Sequence, residues 1–81
     1  MPLDVRGTPA WQVRMYLERL GGSRQPDGSY AGDGWAARLT IGEHRAFGLL
    51  VPRVVITLEG DPGTVAVVES ALRLRVMRVG G

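Results

Sequence analysis

The fold is decided by residues 35–59, whose sequence is WAARLTIGEHRAFGLLVPRVVITLE. Apolar side chains recur there at every second position, in three runs. The runs are Trp35, Ala37, Leu39 and Ile41; Phe47, Leu49 and Val51; and Val54, Ile56 and Leu58. Because side chains two apart lie on the same face of a strand, this pattern predicts three short strands. The interruptions at Gly42-Glu43-His44 and at Pro52-Arg53 predict the turns between them.

An amphipathic segment before this stretch predicts the first helix. It begins at Thr8-Pro9, where Thr8 is the expected N-cap and Pro9 suits the first helical position. Gly21-Gly22 is expected to end it, because glycine adopts the left-handed cap conformation without strain. The apolar stripe follows the i, i+3, i+4, i+7 spacing of a helix and consists of Val13, Tyr16, Leu17 and Leu20.

A second helical segment follows the strands. Asp61 is its expected N-cap and Pro62 its first residue. The helix is predicted to continue to about Met77, with one apolar side formed by Val65, Val68, Ala71 and Leu72. Leu72, Leu74 and Val76 also alternate with arginines and a methionine. A strand over residues 73–79 is therefore the alternative.

The order of elements predicts an α+β fold in a single domain over residues 1–81. Leu3–Arg6 is a short first strand, and Tyr30-Ala31 is a candidate edge strand before Trp35. The result is one antiparallel sheet of four to five strands with two helices packed on one face, similar to the TBP-like or helix-grip arrangement. With a C-terminal strand, a ferredoxin-like βαββαβ fold is the alternative.

Composition excludes several classes of site. The chain has no cysteine, so disulfides, thiolate metal sites and thiol nucleophiles are excluded. All ten basic residues are arginine, and the net charge is only +2. No apolar run reaches the roughly 20 residues that span a bilayer. The N-terminus lacks the apolar core of a signal peptide, so a cytoplasmic protein is expected.

No catalytic constellation is present in the sequence. His44 is the single histidine and lies beside Glu43 at a predicted turn, where an exposed residue is expected. The three serines, at positions 23, 29 and 70, match no nucleophile motif. We therefore predict a non-enzymatic protein with no catalytic residue, metal ligand or cofactor.

The predicted sheet leaves one face without cover. If Trp35, Leu39, Phe47 and Leu49 point to the helices, the opposite face carries small and partly apolar side chains. These are Ala36, Arg38, Thr40, Ala46, Gly48, Leu50, Val55 and Thr57. Exposed apolar patches mark interaction surfaces, and small chains gain stability by association. The face predicts a protein partner or a homo-oligomer, with a solvated sheet face as the alternative.

A basic run near the C-terminus offers a different function. Arg73, Arg75 and Arg78, with Arg38, are the candidate residues for weak nucleic-acid binding. The alternative is a solvated helix end, where arginines interact favourably with the helix dipole.

The final residues, Val79-Gly80-Gly81, follow the arginine-rich segment. This ending resembles that of the ubiquitin-like sulfur carriers of the MoaD and ThiS families. The resemblance implies that the carboxylate of Gly81 is adenylated and converted to a thiocarboxylate, in molybdopterin or thiamine biosynthesis. The β-grasp fold of those carriers opens with a two-stranded hairpin, whereas only about six residues precede the first predicted helix here.

A second resemblance covers the whole chain. It rests on Thr8-Pro9 before a helix that contains Trp11, on the Trp35 strand, and on the junction at residues 51–54. In these features the chain resembles the DUF1952 group, a small Thermus-type domain that is similar to the TBP-like fold and is also found appended to MoaD-like proteins. That resemblance implies no known activity and no catalytic residues.

Overall fold

The computed structural model describes the backbone of residues 2–80 and the side chains of residues 2–76. The elements are β1 (Leu3–Arg6), α1 (Ala10–Arg19), β2 (Ser23–Arg24), β3 (Tyr30–Gly32), β4 (Trp35–Ala46), β5 (Leu49–Gly60) and α2 (Pro62–Gly80). The five strands form one antiparallel sheet in the order β1-β5-β4-β3-β2.

The sheet and its two helices confirm the predicted α+β class. Because α2 is helical to Gly80, the strand over residues 73–79 is wrong, and so is the ferredoxin-like alternative. The relation to TBP-like and helix-grip folds stays a prediction.

The central hairpin differs from the sequence prediction. Residues 35–59 belong to two strands of 12 residues each, and not to three short strands. Ala46 pairs with Leu49, so the only turn within this stretch is Phe47-Gly48. Gly42 pairs with Arg53 and lies within the ladder, as does His44, which pairs with Val51.

Pro52 does not interrupt β5, and one hydrogen bond explains why. The carbonyl oxygen of Pro52 accepts a hydrogen bond from the backbone N–H of Gly7 at 2.8 Å. Because the N–H and C=O of one strand residue point to the same side, the N–H that proline lacks would face the β1 side. The ladder with β4 therefore loses no hydrogen bond. A strand tolerates proline at such a position.

The core lies between one face of the sheet and the two helices. Strand and helix residues both contribute buried side chains to a single cluster. Its members are Leu3, Val5, Val13, Tyr16, Leu17, Tyr30, Trp35, Ala37, Val54, Ile56, Val68 and Leu72. The helical spacing that predicted Val13, Tyr16 and Leu17 is confirmed. We call this covered side of the sheet the helix face, and the opposite side the open face.

The two helix starts differ in how they are capped. Asp61 Oδ2 accepts hydrogen bonds from the backbone N–H and the hydroxyl of Thr64, both at 3.0 Å, which confirms the predicted cap. These hydrogen bonds lower the pKa of Asp61. At α1 the N-cap is Pro9 and no side chain caps the helix, so the prediction for Thr8 is wrong. Thr8 is instead buried, following Gly7 at φ +88°.

A close contact next to Trp35 gives a stability prediction. A Cβ built on Gly32 would lie 2.2 Å from both Cε2 and Nε1 of the buried Trp35 ring. We expect Gly32→Ala to lower the free energy of unfolding by about 1–3 kcal/mol, because the indole must move within a packed core. Gly42→Ala is the matched control, since its Cβ meets nothing within 4 Å. Urea denaturation of both variants measures the difference, and equal stabilities would contradict this packing.

Candidate protein-binding surface

The β4–β5 hairpin extends beyond the layer of helices. Near its base, Trp35, Ala37, Val54 and Ile56 are buried. Farther out, apolar side chains lie in solvent on both faces of the two-stranded ribbon. The exposed ones are Ile41, Phe47, Leu49 and Leu50. We call residues 41–52 the distal hairpin.

The tip of this hairpin has an unusual residue in a strained conformation. Phe47 and Gly48 have φ values of +53° and +78°, as a type I′ turn requires. Positive φ is common for glycine or asparagine but rare for a bulky side chain, which is disfavoured there. The Phe47 side chain is fully exposed, at 103%. A large aromatic side chain is thus held in solvent at a backbone position that does not favour it.

The outer edge of β4 is open along most of its length. β3 pairs with β4 only from Trp35 to Ala37. Within the part of the chain that the structure describes, no strand pairs with residues 38–46 on that side. The carbonyl of Pro52 points towards β1. Because backbone groups alternate along paired strands, this determines which β4 residues point their backbone N–H and C=O groups to the open edge. These are Leu39, Ile41, Glu43 and Arg45.

A charged cluster lies on the open face where β1 and β5 meet. Asp4 Oδ1 accepts a hydrogen bond from Arg53 Nε at 3.1 Å, and Asp4 Oδ2 accepts one from Arg53 Nη2 at 3.0 Å. Arg6 Nη2 reaches Asp4 Oδ2 at 3.3 Å. These contacts lower the pKa of Asp4, and the hydrogen bond from Arg53 is the largest cause. Desolvation has a smaller, opposite effect. Arg6 Nη1 also lies 3.4 Å from His44 Nε2.

His44 therefore occupies a different place from the one predicted. It is half-buried within β4, and not an exposed turn residue. The prediction failed because Gly42 lies within the strand, where Gly42-Glu43-His44 was expected to break it.

Most, but not all, of the predicted interaction residues lie on the open face of the sheet. Ala36, Arg38, Thr40, Ala46, Val55 and Thr57 share the open face. Gly48 lies in the turn, and Leu50 has the orientation of Val54, on the helix-face side. The error for Leu50 follows from the turn expected at Pro52-Arg53, because a continuous strand keeps its alternation through that point. Whether this set binds a partner stays a prediction.

Of the exposed apolar residues of the distal hairpin, the predicted interaction set contained only Leu50. Phe47 and Leu49 were expected to face the helices, yet Phe47 lies at the tip and Leu49 pairs with Ala46 on the open face. One signal could have found the turn. Phe47-Gly48 separates two long alternating runs by two residues with glycine at the second, which is a hairpin spacing.

The arginines of the nucleic-acid alternative make separate local contacts. Arg73 pairs with Glu69 one helical turn away at 3.7 Å, and Arg38 pairs with Glu59 at 3.9 Å. The Arg75 guanidinium lies 5.8 Å from the centre of the Tyr16 ring. The side chain of Arg78 lies outside the described residues. Nucleic-acid binding stays a prediction.

Two further properties concern only the residues that the structure describes. No group of three or more histidine, aspartate or glutamate side chains is arranged to hold a metal ion there. No helix there is both long and apolar enough to cross a membrane.

Comparison with models of protein families assigns the chain to a family. The model of the archaeal MoaD-like protein family matches residues 1–81. The chain belongs to this MoaD-like family. No curated protein matches it. The match confirms the expected link to MoaD-like proteins, while the resemblance to the Thermus-type group stays a prediction. Among the residues that the structure describes, one strand, β1, precedes α1.

The Asp4 cluster predicts how stability depends on acid. The folded-state pKa values of Asp4, Asp27 and Asp61 all lie below the usual 3.8. Each carboxylate therefore stabilises the fold above pH 3.8, and this contribution is lost as the pH falls through its folded-state pKa. We expect Asp4→Asn to reduce the acid dependence of the unfolding free energy, measured from pH 6 to pH 2. Asp33→Asn, at an exposed turn, is the control, and an unchanged slope in Asp4→Asn would contradict the cluster's role.

Proposed function

We propose that this chain is a non-enzymatic binding module that associates with a second copy of itself through the distal hairpin. One observation carries the proposal. Phe47 is fully exposed at a positive φ, at the tip of a hairpin that extends beyond the cover of its own helices. Backbone strain of this kind persists where the surrounding structure enforces it, and such sites are commonly functional.

The energetics of the distal hairpin support this role. A two-stranded ribbon is only marginally stable alone in water, because it buries little apolar surface. Ile41, Leu49 and Leu50 are each more than half exposed, so they contribute little to the core. Contact with another chain would bury them and hold the ribbon in place. Small chains often gain stability from such association.

Membership of the family does not bear on this proposal. It connects the chain with MoaD-like proteins, and it names no surface or partner. The distal hairpin is therefore proposed from its exposure and backbone geometry.

A substitution at the tip separates association from folding. We expect the wild-type chain to sediment as a dimer and Phe47→Asn to weaken the dimer at least about tenfold, because a buried aromatic side chain is lost. Asparagine accepts the positive φ, so the unfolding free energy of the Phe47→Asn monomer should not decrease. Sedimentation velocity over a dilution series measures the first effect, and urea denaturation of the monomer measures the second.

Trp11→Gln provides the matched control. Trp11 is also an exposed aromatic residue, at 66%, but it belongs to α1 and not to the hairpin. Its replacement should leave the dimer unchanged. A wild-type chain that remains monomeric at every concentration would overturn the proposal.

Family membership favours a second candidate, a sulfur carrier that acts through Gly81. The helix α2 continues to Gly80, whereas a carrier tail must enter an activating enzyme in an extended form. This candidate therefore requires the end of α2 to unwind. Intact-mass analysis of the chain from sulfur-replete cells would reveal a thiocarboxylate as the replacement of one oxygen by sulfur, which deletion of Gly80 and Gly81 should remove. An unmodified mass in cells whose known carriers are thiocarboxylated would exclude it.

A further inference from the structure

The open edge of β4 can accept another strand. Residues 38–46 form nine positions without a partner on that side, among the residues that the structure describes. Strand addition to an exposed edge is a common recognition mode, in which backbone hydrogen bonds provide affinity and side chains provide specificity. For two copies of one chain, antiparallel pairing of β4 with β4 gives a closed two-fold dimer.

The charges on this edge select one register. Glu43 and Arg45 both direct backbone groups outwards and both are exposed. If the two-fold axis passes through residue 44, Glu43 lies opposite the partner's Arg45 and the contact occurs twice. Opposite charges in directly facing positions stabilise a strand pair.

In the neighbouring registers, the charge contacts either destabilise the strand pair or contribute nothing to it. An axis through residue 43 places Glu43 opposite the partner's Glu43, and an axis through residue 45 places Arg45 opposite the partner's Arg45. Like charges directly opposite each other destabilise the pair. An axis through Gly42 places both charged residues opposite apolar side chains. Only the axis through residue 44 gives two attractive pairs.

The same register accounts for the exposed apolar residues of the edge. In this register the turn residue Phe47 lies just past the end of β4, next to the partner's Ile41, and both side chains are more than half exposed in the single chain. The partner's tip then ends opposite Thr40, whereas β3 ends its pairing at Ala37. The added strand therefore occupies open edge and displaces nothing.

We infer that a second copy of this chain pairs antiparallel along the outer edge of β4, with Glu43 opposite the partner's Arg45 and His44 opposite the partner's His44. This inference rests on the proposed self-association and specifies its geometry. The two sheets would become one continuous sheet of ten strands, twice the five of a single chain.

Cysteine trapping tests the register, and the chain suits it because it has no cysteine of its own. In the inferred dimer residue 44 faces its own copy in a pair without hydrogen bonds, where Cα atoms are roughly 4.5 Å apart. A disulfide accepts this separation. We expect His44→Cys to form a covalent dimer on mild oxidation at protein concentrations where the wild-type chain is dimeric.

Gly42→Cys is the matched control on the same face of the same strand. Its own copy would lie four residues along the partner strand, about 14 Å away, which no disulfide spans. An equimolar mixture of Gly42→Cys and Ala46→Cys should instead form a covalent dimer with one copy of each, because these positions face each other. Trapping by Gly42→Cys alone would indicate an axis through residue 42 and would overturn the inferred register.

Charge reversal provides a second measurement that does not depend on cysteine. Glu43→Arg places arginines opposite each other and should weaken the dimer about tenfold. Arg45→Glu should do the same, and the combination of both substitutions should restore the wild-type affinity. If light scattering shows a dimer that neither His44→Cys traps nor charge reversal affects, the inferred geometry is wrong while self-association stands. If the wild-type chain is monomeric, both proposals fail.

Discussion

The register of the β4–β5 ladder is the constraint on which the rest of the structure depends. Twelve residue pairs connect the two strands, from Trp35 with Gly60 to Ala46 with Leu49. A shift by one residue would turn every side chain of one strand to the other face. The register places Trp35 and Ile56 in the core and, farther along the same face of the strands, leaves Ile41 and Leu50 in solvent. The core and the candidate surface therefore lie at opposite ends of the same two strands.

The fold class could be predicted from sequence because local periodicity carries it. The spacing of Val13, Tyr16 and Leu17 predicts a buried helical side, and Asp61 before Pro62 predicts a helix start. The course of β5 through Pro52 could not be predicted. Whether a proline interrupts a strand depends on which side its missing N–H would face, and here that side is set by Gly7, 45 positions earlier in the chain. Local sequence contains no information about that pairing.

The candidate surface was only partly predictable, for a related reason. Alternation indicates which side chains share a face, but not where the covering layer ends. Ile41 follows Leu39 in the same alternating run, yet Leu39 packs against the core and Ile41 is 53% exposed. The open-face residues Ala36, Arg38 and Thr40 were placed correctly, because they lie before the first expected interruption. The tip is exposed because the two strands extend beyond the helices that cover the sheet. That extension is a property of the assembled fold.

The position of β1 has a consequence for how the chain folds during synthesis. β1 lies at the edge of the sheet and pairs with β5, so Leu3 finds its partner at Ile56. About fifty residues must leave the ribosome before the first strand can pair, and closing so long a loop delays folding. Until then Leu3 and Val5 expose apolar side chains on an unpaired strand. The sheet of the nascent chain can close only after β5 has been made.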